Sequence, residues 1–354
     1  MSEMVRYGII GTGMMGQEHI ANVALMPGAC VTAIADTDPT MREHGRALAP
    51  AAVRVYEDYA ELIADPTVDV VVIATPNFTH FEVLDKAFAS GKHILVEKPM
   101  CTEVDDCHRV VEAAQRHPAL VWVALEYRYM RAVDHLIHRV DEGAVGDLRM
   151  LFIREHRNPF LVKVANWNRF NRNTGGTLVE KCCHFFDLMV RICRRRPLRV
   201  FASGAQDLNH LDERYDGETP DILDNAYTIV EFEDGMRACL DLCMFAEGSP
   251  QEVEITATGS TGKLQAFEPA HEVVHSPRVG GGERRHFPLE RRIELAGWHH
   301  GATYYQHLDF LDCLRSGKPP GVSVADGALA VGIGAAAQQS IAEGRVVALG
   351  ELGF

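Results

Sequence analysis

A glycine-rich turn near the start of the chain constrains the fold more than any other feature of the sequence. The apolar run Val5 to Ile10 is typical of a buried parallel strand, and Gly11, Gly13 and Gly16 follow it with G-x-G-x-x-G spacing. The first glycine permits a tight turn, the second lets backbone approach a pyrophosphate, and the third lets the next helix pack against the strand. That helix points its N-terminal amides at phosphate groups. The pattern predicts a dinucleotide-binding loop.

An acidic residue at the expected distance supports this interpretation. The second apolar strand, Val31 to Ala35, ends in Asp36, which lies 20 residues beyond Gly16. A carboxylate at this place meets the hydroxyl groups of the adenosine ribose in dinucleotide folds. We expect NAD rather than NADP as the cofactor, because Asp36 would repel a 2′-phosphate and the next residues, Thr37 and Asp38, offer no arginine to neutralise it.

The organisation of the chain changes at about residue 125. Before it, apolar strand candidates alternate with helical patterns, which predicts an α/β fold with a doubly wound parallel sheet. After it, strands come in pairs joined by turn signals such as Asp234-Gly235, which predicts an α+β domain with an open, mainly antiparallel sheet. We therefore expect an NAD-binding Rossmann domain over residues 1–125 and a substrate-binding and oligomerisation domain over 126–354. Pro277 to Arg285, with its glycine triplet, is expected to be a mobile loop.

Composition limits the partners. A formal net charge of −14 argues against nucleic acid and against an anionic membrane surface, which leaves small molecules as the expected partners. The nine cysteines include no C-x-x-C pair, which favours reduced thiols in the cytoplasm. No apolar run is long enough to span a bilayer. Adjacent Cys182 and Cys183 would point about 100° apart on a helix, so we expect no metal site.

Residues just after parallel strands are the first candidates for chemistry, because ligands bind beyond the carboxyl ends of such strands. Two segments occupy such places, Thr75-Pro76-Asn77-Phe78-Thr79-His80 and Glu97-Lys98-Pro99. The structural alternatives are a turn capped by Thr79 and an exposed lysine in an extended segment before proline. A dinucleotide domain favours the functional interpretation, since both segments would overhang the nicotinamide.

A third candidate segment runs from Thr174 to Pro197 and is predicted to be one helix. At 100° per residue, Glu180, His184 and Asp187 fall on one narrow stripe. The opposite stripe holds Leu178, Cys182, Phe185 and Met189. One face should therefore enter the core while the other presents an acid, a base and a second acid to a cleft. The alternative is a solvated face with a helical ion pair, but the two glycines before the helix suggest close approach to a ligand.

Together these motifs resemble the Gfo/Idh/MocA oxidoreductases, the group of glucose-fructose oxidoreductase and inositol dehydrogenase. The resemblance rests on the glycine loop, Thr75-Pro76-Asn77 with His80, Glu97-Lys98-Pro99, and the glycine pair followed by Glu180-x-x-x-His184-x-x-Asp187. It implies a Rossmann domain joined to an α+β domain whose sheet often forms the subunit interface, hence a homodimer or homotetramer. It also implies NAD(P)-dependent oxidation of a secondary alcohol on a sugar or inositol-type polyol.

The resemblance also implies roles for individual residues. Lys98 corresponds to the catalytic lysine, His184 to the proton-transferring histidine, and Glu180 stands where many members have aspartate. Lys181-Cys182-Cys183 replaces smaller residues that are common there. The expected cofactor contacts are Gly11, Thr12, Gly13, Met14, Met15, Gly16, Asp36, Thr75, Pro76, Asn77, His80, Glu97 and Lys98. The expected substrate contacts are Lys98, Arg128, Arg157, Trp167, Glu180 and His184.

Three functions fit this pattern. The first is a cytoplasmic NAD-dependent dehydrogenase of a sugar or polyol. The second is a glycosidase that works by transient oxidation and elimination with no net redox change, a reaction that some members of the family carry out. The third is a nucleotide sensor without catalytic activity, against which the intact Lys98 and His184 count.

Overall fold

Residues 4–354 are described by a computed structural model, and their contacts divide them into two units. The first unit combines the chain up to Glu126 with Leu289–Ala328. The second combines Tyr127–Pro288 with Leu329–Phe354. These units differ from the predicted division at residues 125 and 126 because a late segment of the chain returns to the first unit.

Fifteen strands lie within residues 4–354. In chain order they are β1 (Val5–Ile10), β2 (Ala29–Ala35), β3 (Arg54–Tyr56), β4 (Val70–Ile73), β5 (His93–Glu97), β6 (Val121–Ala124), β7 (Leu148–His156), β8 (Pro197–Ala205), β9 (Asn225–Phe232), β10 (Arg237–Cys243), β11 (Val253–Gly259), β12 (Gly262–Glu268), β13 (Glu272–Pro277), β14 (Glu283–His286) and β15 (Val347–Ala348).

Twelve α-helices lie in the same part of the chain, and short 3₁₀ turns join some of them to the strands. In chain order they are α1 (Met14–Leu25), α2 (Pro39–Leu48), α3 (Tyr59–Ala64), α4 (His80–Phe88), α5 (Val104–Ala114), α6 (Arg131–Asp141), α7 (Asn171–Thr174), α8 (Thr177–Glu180), α9 (Cys183–Cys193), α10 (Arg291–Glu294), α11 (Ala302–Ser316) and α12 (Val324–Glu343). No helix of residues 4–354 is both long enough and apolar enough to cross a membrane.

The sheet of the first unit has the order β3-β2-β1-β4-β5-β6. All its strand pairs are parallel. Strands such as Val70–Ile73 are buried along their whole length, as expected where helices cover both faces. The direction of winding reverses between β1 and β4, and the crevice outside their carboxyl ends is where such sheets bind ligands. The predicted doubly wound parallel sheet is confirmed.

A segment from late in the chain completes the core of the first unit. The ring of Phe310 on α11 lies 5.8 Å from that of Trp122 and 6.3 Å from that of Tyr7, measured between centroids. All three side chains are fully buried. Helix α11 also packs against α1, the helix that follows the glycine loop.

The sheet of the second unit has nine strands in the order β14-β13-β12-β11-β7-β10-β9-β8-β15. Its pairs are antiparallel apart from β7 and β10, which run parallel. Burial alternates along the strands, and helices α6 and α9 pack on the covered side. The predicted open, mainly antiparallel sheet is confirmed.

The structure corrects two details of the predicted secondary structure. Thr174 to Pro197 is not one helix, because α8 ends at Glu180 and α9 begins at Cys183, with Lys181 and Cys182 between them. Pro277 to Arg285 is not a single loop, because Arg285 pairs with Val273 in the hairpin of β13 and β14. The side chains of β14 are all exposed, so no apolar alternation marked that strand in the sequence.

Candidate active site

The glycine loop leaves room for a ligand at the start of α1. Gly11 has φ +85°, and a Cβ atom there would lie 2.5 Å from the carbonyl oxygen of Ala74. A Cβ atom on Gly16 would overlap the carbonyl oxygen of Gly11. At Gly13, by contrast, a Cβ atom would meet nothing within 4 Å. The first and third glycines are therefore required by the chain itself, while the second borders open space at a helix N-terminus, which fits a pyrophosphate.

Asp36 holds the loop and borders a pocket. Its Oδ2 accepts hydrogen bonds from the amide of Thr12 at 2.7 Å and from the Thr12 hydroxyl at 3.2 Å, while Oδ1 accepts from the amide of Asp38 at 2.9 Å. The pocket beside it is also lined by Tyr59 and Pro76. A carboxylate at the edge of a pocket beyond β1, β2 and β4 fits the adenosine ribose of NAD.

An arginine that the sequence analysis did not consider lies beside Asp36. Arg42, on α2, donates from Nη1 to the carbonyl oxygens of Asp36 at 2.7 Å and Thr37 at 2.9 Å. Its Nη2 lies 3.5 Å from a carboxylate oxygen of Glu57. The expectation considered only the residues directly after the strand, and the next helix turns this guanidinium back toward the strand end.

The loops that follow β4 and β5 are joined by one histidine. His80 is fully buried, with Nδ1 2.8 Å from the carbonyl oxygen of Pro99 and Nε2 3.0 Å from that of Thr75. Burial lowers the pKa of His80. Asn77 begins the short 3₁₀ turn that leads into α4 and is also buried. The two motifs predicted from the sequence are thus held together, and Lys98 lies directly between His80's partner Pro99 and Glu97.

Glu97 belongs to a buried chain of hydrogen bonds. Its Oε1 lies 2.9 Å from Nε2 of His19, and Nδ1 of the same histidine lies 2.8 Å from Nε2 of His307. Its Oε2 accepts from the backbone amide of Lys98 at 3.1 Å. Burial alone would raise the pKa of Glu97, but the hydrogen bond from His19 and the charge of Lys98 hold it below its usual value. This carboxylate therefore fixes the backbone that carries the lysine.

A second buried carboxyl group lies near the lysine. Glu126 follows β6 by two residues, and Ala124 at the end of β6 pairs in register with Glu97. Burial and the charge of Glu97 raise the pKa of Glu126 to about 7, against the opposing charges of His299 and Lys98. The strand-end rule points to Glu126, but the sequence analysis applied that rule only to β4 and β5.

His299 is held by a carboxylate of the cofactor-loop helix. Glu18, on α1, is 3.0 Å from Nδ1 of His299, and it accepts hydrogen bonds from the Thr303 hydroxyl at 2.7 Å and the Trp298 amide at 3.1 Å. Burial alone would raise the pKa of Glu18, but the charge of His299 and these hydrogen bonds lower it to about 2. The segment before α11 is therefore tied to α1 through an ionised carboxylate.

In the second unit, Glu180, His184 and Asp187 lie on two helices. Glu180 ends α8 and His184 is in the first turn of α9. These side chains are at most 6% exposed. Asp187 is paired with Arg128, whose Nε lies 2.7 Å from Oδ2, and whose Nη2 contacts Oδ1. Arg128, an expected substrate contact, therefore forms a bidentate ion pair with Asp187, the third residue of the polar stripe.

The remaining expected substrate contacts also have partners within the second unit. Nη1 of Arg157 lies 3.3 Å from Oε1 of Glu155 and 3.6 Å from Glu252. Burial opposes its charge, but these carboxylates raise the pKa of Arg157 above its usual value. Trp167 lies in the 3₁₀ segment Val164–Arg169, and its carbonyl oxygen accepts a hydrogen bond from the side chain of Asn173 at 2.9 Å.

The two glycines before α8 serve the chain rather than a ligand. Gly175 and Gly176 both have positive φ, at 76° and 90°. A Cβ atom on Gly176 would overlap the side-chain amide of Gln338 on α12. The close approach inferred from the sequence is real, but the group that approaches belongs to the protein.

Comparison with known proteins accounts for both parts of the chain. A family model described as the oxidoreductase family, NAD-binding Rossmann fold, matches residues 5–125, and one described as its C-terminal alpha/beta domain matches residues 137–349. The chain belongs to the Gfo/Idh/MocA oxidoreductase family. It is therefore an NAD(P)-dependent oxidoreductase, and its cofactor is NAD.

Individual Gfo/Idh/MocA relatives match along almost the whole chain. A myo-inositol 2-dehydrogenase of Thermotoga maritima is 29% identical over 354 residues, which cover 98% of this chain and 99% of the relative. A scyllo-inositol 2-dehydrogenase (NAD(+)) of Bacillus subtilis is 26% identical over 360 residues, which cover 99% of this chain and 97% of the relative. The structure of levoglucosan dehydrogenase with NADH and levoglucosan matches with a TM-score of 0.85 over 98% of this chain and 100% of that one, and at 20% identity this likeness shows the fold.

Proposed function

We propose that this chain oxidises a secondary hydroxyl group of a cyclic polyol or sugar, with NAD as the hydride acceptor. The observation that carries the proposal is the match to two inositol dehydrogenases along almost the whole chain. The chain also carries Lys98, Glu180 and His184 in motifs that resemble those of the family, with Glu180 in place of the commoner aspartate. The buried carboxylate that fixes the backbone of Lys98 supports a defined place for that lysine.

The proposed roles follow from the charge that each group carries. NAD, when bound, supplies the carbon that accepts the hydride. Lys98 stabilises the developing alkoxide through its ammonium group. His184 accepts the hydroxyl proton, as an imidazole does near neutral pH, and Glu180 orients the substrate. The residues of the glycine loop, Asp36 and the loops after β4 and β5 bind the cofactor.

A screen for NADH formation tests this function. Purified protein with NAD should reduce the cofactor in the presence of at least one of myo-inositol, scyllo-inositol and levoglucosan, whereas Lys98→Met should not. Release of free sugar from a glycoside without accumulation of NADH would instead establish the redox-neutral glycosidase. Absence of any turnover, with NAD still bound, would leave the nucleotide sensor.

We infer that two or four copies of this chain associate through the open face of the second unit's sheet. Phe201 on β8 and Ile229 on β9 are paired in register and are 44% and 43% exposed, Tyr227 is a second exposed side chain of β9, and Met150 is exposed on β7 of the same sheet. Several exposed apolar side chains on one sheet mark a candidate interaction surface. Ile229→Asp should reduce the mass measured by light scattering, whereas Val279→Asp, outside the strands, should not. A monomeric unmodified protein would contradict the inference.

We also propose a cytoplasmic location. All nine cysteines are free thiols, which suits a reducing compartment, and NAD is supplied there. Recovery of the protein with the cytoplasmic fraction after cell breakage tests this, and recovery from an extracellular fraction would contradict it.

A further inference from the structure

Lys181 occupies the break between two helices. Because α8 ends at Glu180 and α9 begins at Cys183, Lys181 does not lie on the continuous helix that the sequence predicted. Its side chain is only 6% exposed, and a buried ammonium group requires compensating partners. Lys181 belongs to the Lys181-Cys182-Cys183 segment, which replaces smaller residues common in the family, and the proposed reaction gives it no role.

Two acceptors surround the ammonium group of Lys181. Its Nζ lies 2.6 Å from the phenol oxygen of Tyr127 and 2.8 Å from Oε1 of Glu155. Glu155 lies on β7, is fully buried and is also 3.3 Å from Nη1 of Arg157. A carboxylate on a central strand therefore holds the lysine, and the lysine in turn holds the phenol.

The ring of Tyr127 lies flat against the imidazole of His184. The two ring planes are within 9° of parallel, and their centroids are 4.0 Å apart. Phe185 meets Tyr127 edge-on, at 5.6 Å and 74°. Since Tyr127 is only 4% exposed, its ring has little room to move. This contact restricts rotation of the imidazole about its side-chain bonds.

Stability alone does not account for this arrangement. A buried pair of charges contributes little compared with apolar side chains of the same volume, because desolvation of both groups offsets their attraction. The neighbouring Leu178, Cys182 and Phe185 provide an apolar setting in which Met or Leu at position 181 would be the simpler choice. A buried lysine that donates to the phenol oxygen of Tyr127, whose ring is stacked on the expected proton acceptor, points to a role in orientation.

We propose that Tyr127 and Lys181 are positioning residues for His184. Lys181, anchored by Glu155, fixes the phenol of Tyr127, and the phenol ring fixes the plane of the imidazole. The catalytic part of this inference rests on the proposed role of His184 as proton acceptor. Its structural part concerns only the stacking of two rings, so it can be measured without turnover.

Four substitutions separate the contributions of the ring, the hydrogen bond and general packing. Tyr127→Leu removes the stacked ring. Lys181→Met and Tyr127→Phe remove the same hydrogen bond from its two sides, so one remains informative if the other does not fold. Met189→Leu, at another buried position of α9, is the control for disturbance of the helix core.

The first measurement is the proton NMR signal of the His184 ring, assigned by its loss in His184→Asn. Stacking on Tyr127 should displace this signal through the ring current, and Tyr127→Leu should abolish the displacement. Lys181→Met and Tyr127→Phe should reduce it, while Met189→Leu should leave it. An unchanged signal in Tyr127→Leu would overturn the stacking, and unchanged signals in both hydrogen-bond variants would overturn the role of Lys181.

The second measurement is steady-state kinetics with myo-inositol and NAD, or with whichever polyol of the screen is turned over. Tyr127→Leu should lower kcat by roughly 10²-fold, as expected for a misplaced reacting group, and each hydrogen-bond variant by about tenfold. KM values should change by less than about threefold. An equal loss in Met189→Leu, or normal kcat in Tyr127→Leu, would overturn positioning. If the unmodified protein oxidises no polyol, the proposed function fails while the NMR result still decides the stacking.

Discussion

Two clusters of buried acidic groups, one in each unit, are compensated in different ways. In the first cluster, which belongs to the first unit, Glu97 is bonded to His19, and Glu18 to His299 and a hydroxyl group. In the second cluster, which lies around Tyr127 and His184 in the second unit, the partners are cationic side chains, Arg128 on Asp187 and both Lys181 and Arg157 on Glu155. Imidazoles gain and lose protons near neutral pH, whereas guanidinium groups do not.

We expect the first cluster to be the more sensitive to pH. The pKa values of the acidic groups around it span a wide range, since that of Glu18 is about 2 and that of Glu126 about 7. In the second cluster the guanidinium groups keep their charge over the working range, so His184 is the group there whose protonation we expect to matter. Four predictions test this contrast: three effects on activity or cofactor preference, from the largest to the smallest, and then one on stability.

Replacing Lys98, in the first unit, should have the largest effect. Lys98→Met should lower kcat by roughly 10² to 10⁴ because the developing alkoxide loses its cation, while the affinity for NAD should hardly change. Steady-state kinetics and calorimetric titration with NAD measure the two quantities. Lys86→Met, which removes an exposed lysine of α4, is the control. Similar activity in both variants would show that Lys98 is an ordinary loop residue.

Replacing His184, the titrating group of the second cluster, should have the next largest effect. His184→Asn should lower kcat by roughly 10²-fold and remove one ionisation from the pH dependence of kcat/KM, which otherwise rises and then flattens as the imidazole loses its proton. His138→Asn, at an exposed position of α6, is the control. An unchanged pH profile in His184→Asn would place the decisive ionisation at another group, outside the second cluster.

A charge change at the cofactor pocket should alter specificity rather than rate. Asp36→Ser removes the carboxylate that repels a 2′-phosphate, and Arg42 is already placed against the backbone of the same residue. The preference for NAD over NADP should fall by about tenfold, which corresponds to about 1.4 kcal/mol. Asp38→Ser is the neighbouring control. Tighter binding of NADP than NAD by the unmodified protein would refute the assignment of Asp36.

The last effect should appear in stability rather than in activity. The folded protein keeps the proton on Glu126 up to about pH 7, whereas an ordinary glutamate releases it near 4.5. The stabilisation of the folded protein by the protonated form of Glu126 is fully present below pH 4.5 and is lost as the pH rises through 7. The free energy of unfolding falls by on the order of 1 to 3 kcal/mol in total. Thermal unfolding of Glu126→Gln should therefore lack this decline. A parallel pH dependence in both proteins would mean that Glu126 has an ordinary pKa.

The sequence predicts the repeating parts of this fold well. Buried strands separated by crossover helices carry strong local signals, and the glycine loop sets the type of sheet. Two elements carry weak local signals in the sequence: α2, whose only buried residue is Gly45, and β8, which directly follows a run of arginines. The break at Lys181 was missed, because apolar spacing continues across it and the backbone angles of Lys181 and Cys182 stay in the right-handed helical region.

Contacts across long separations explain what the sequence could not predict about the site. His19 and His307 are 288 positions apart, and Glu18 meets Thr303 across 285. No periodicity or motif relates such pairs, since only the folded chain brings them together. The strand-end residues were predictable because the topology of a parallel sheet fixes their edge, and Glu126 could have been found by the same rule.

The return of the segment Leu289–Ala328 to the first unit has a consequence for how the protein is made. When the ribosome has completed Glu126, all six strands of the parallel sheet exist, but Phe310 has not been synthesised, so Trp122 and Tyr7 lack their partner. Glu18 and His19 likewise lack hydrogen-bond partners that are synthesised only from position 298 onward. The nascent cofactor domain therefore remains incomplete through the synthesis of strands β7 to β14, eight of the nine strands of the other sheet, a period in which its apolar surface is open to chaperones.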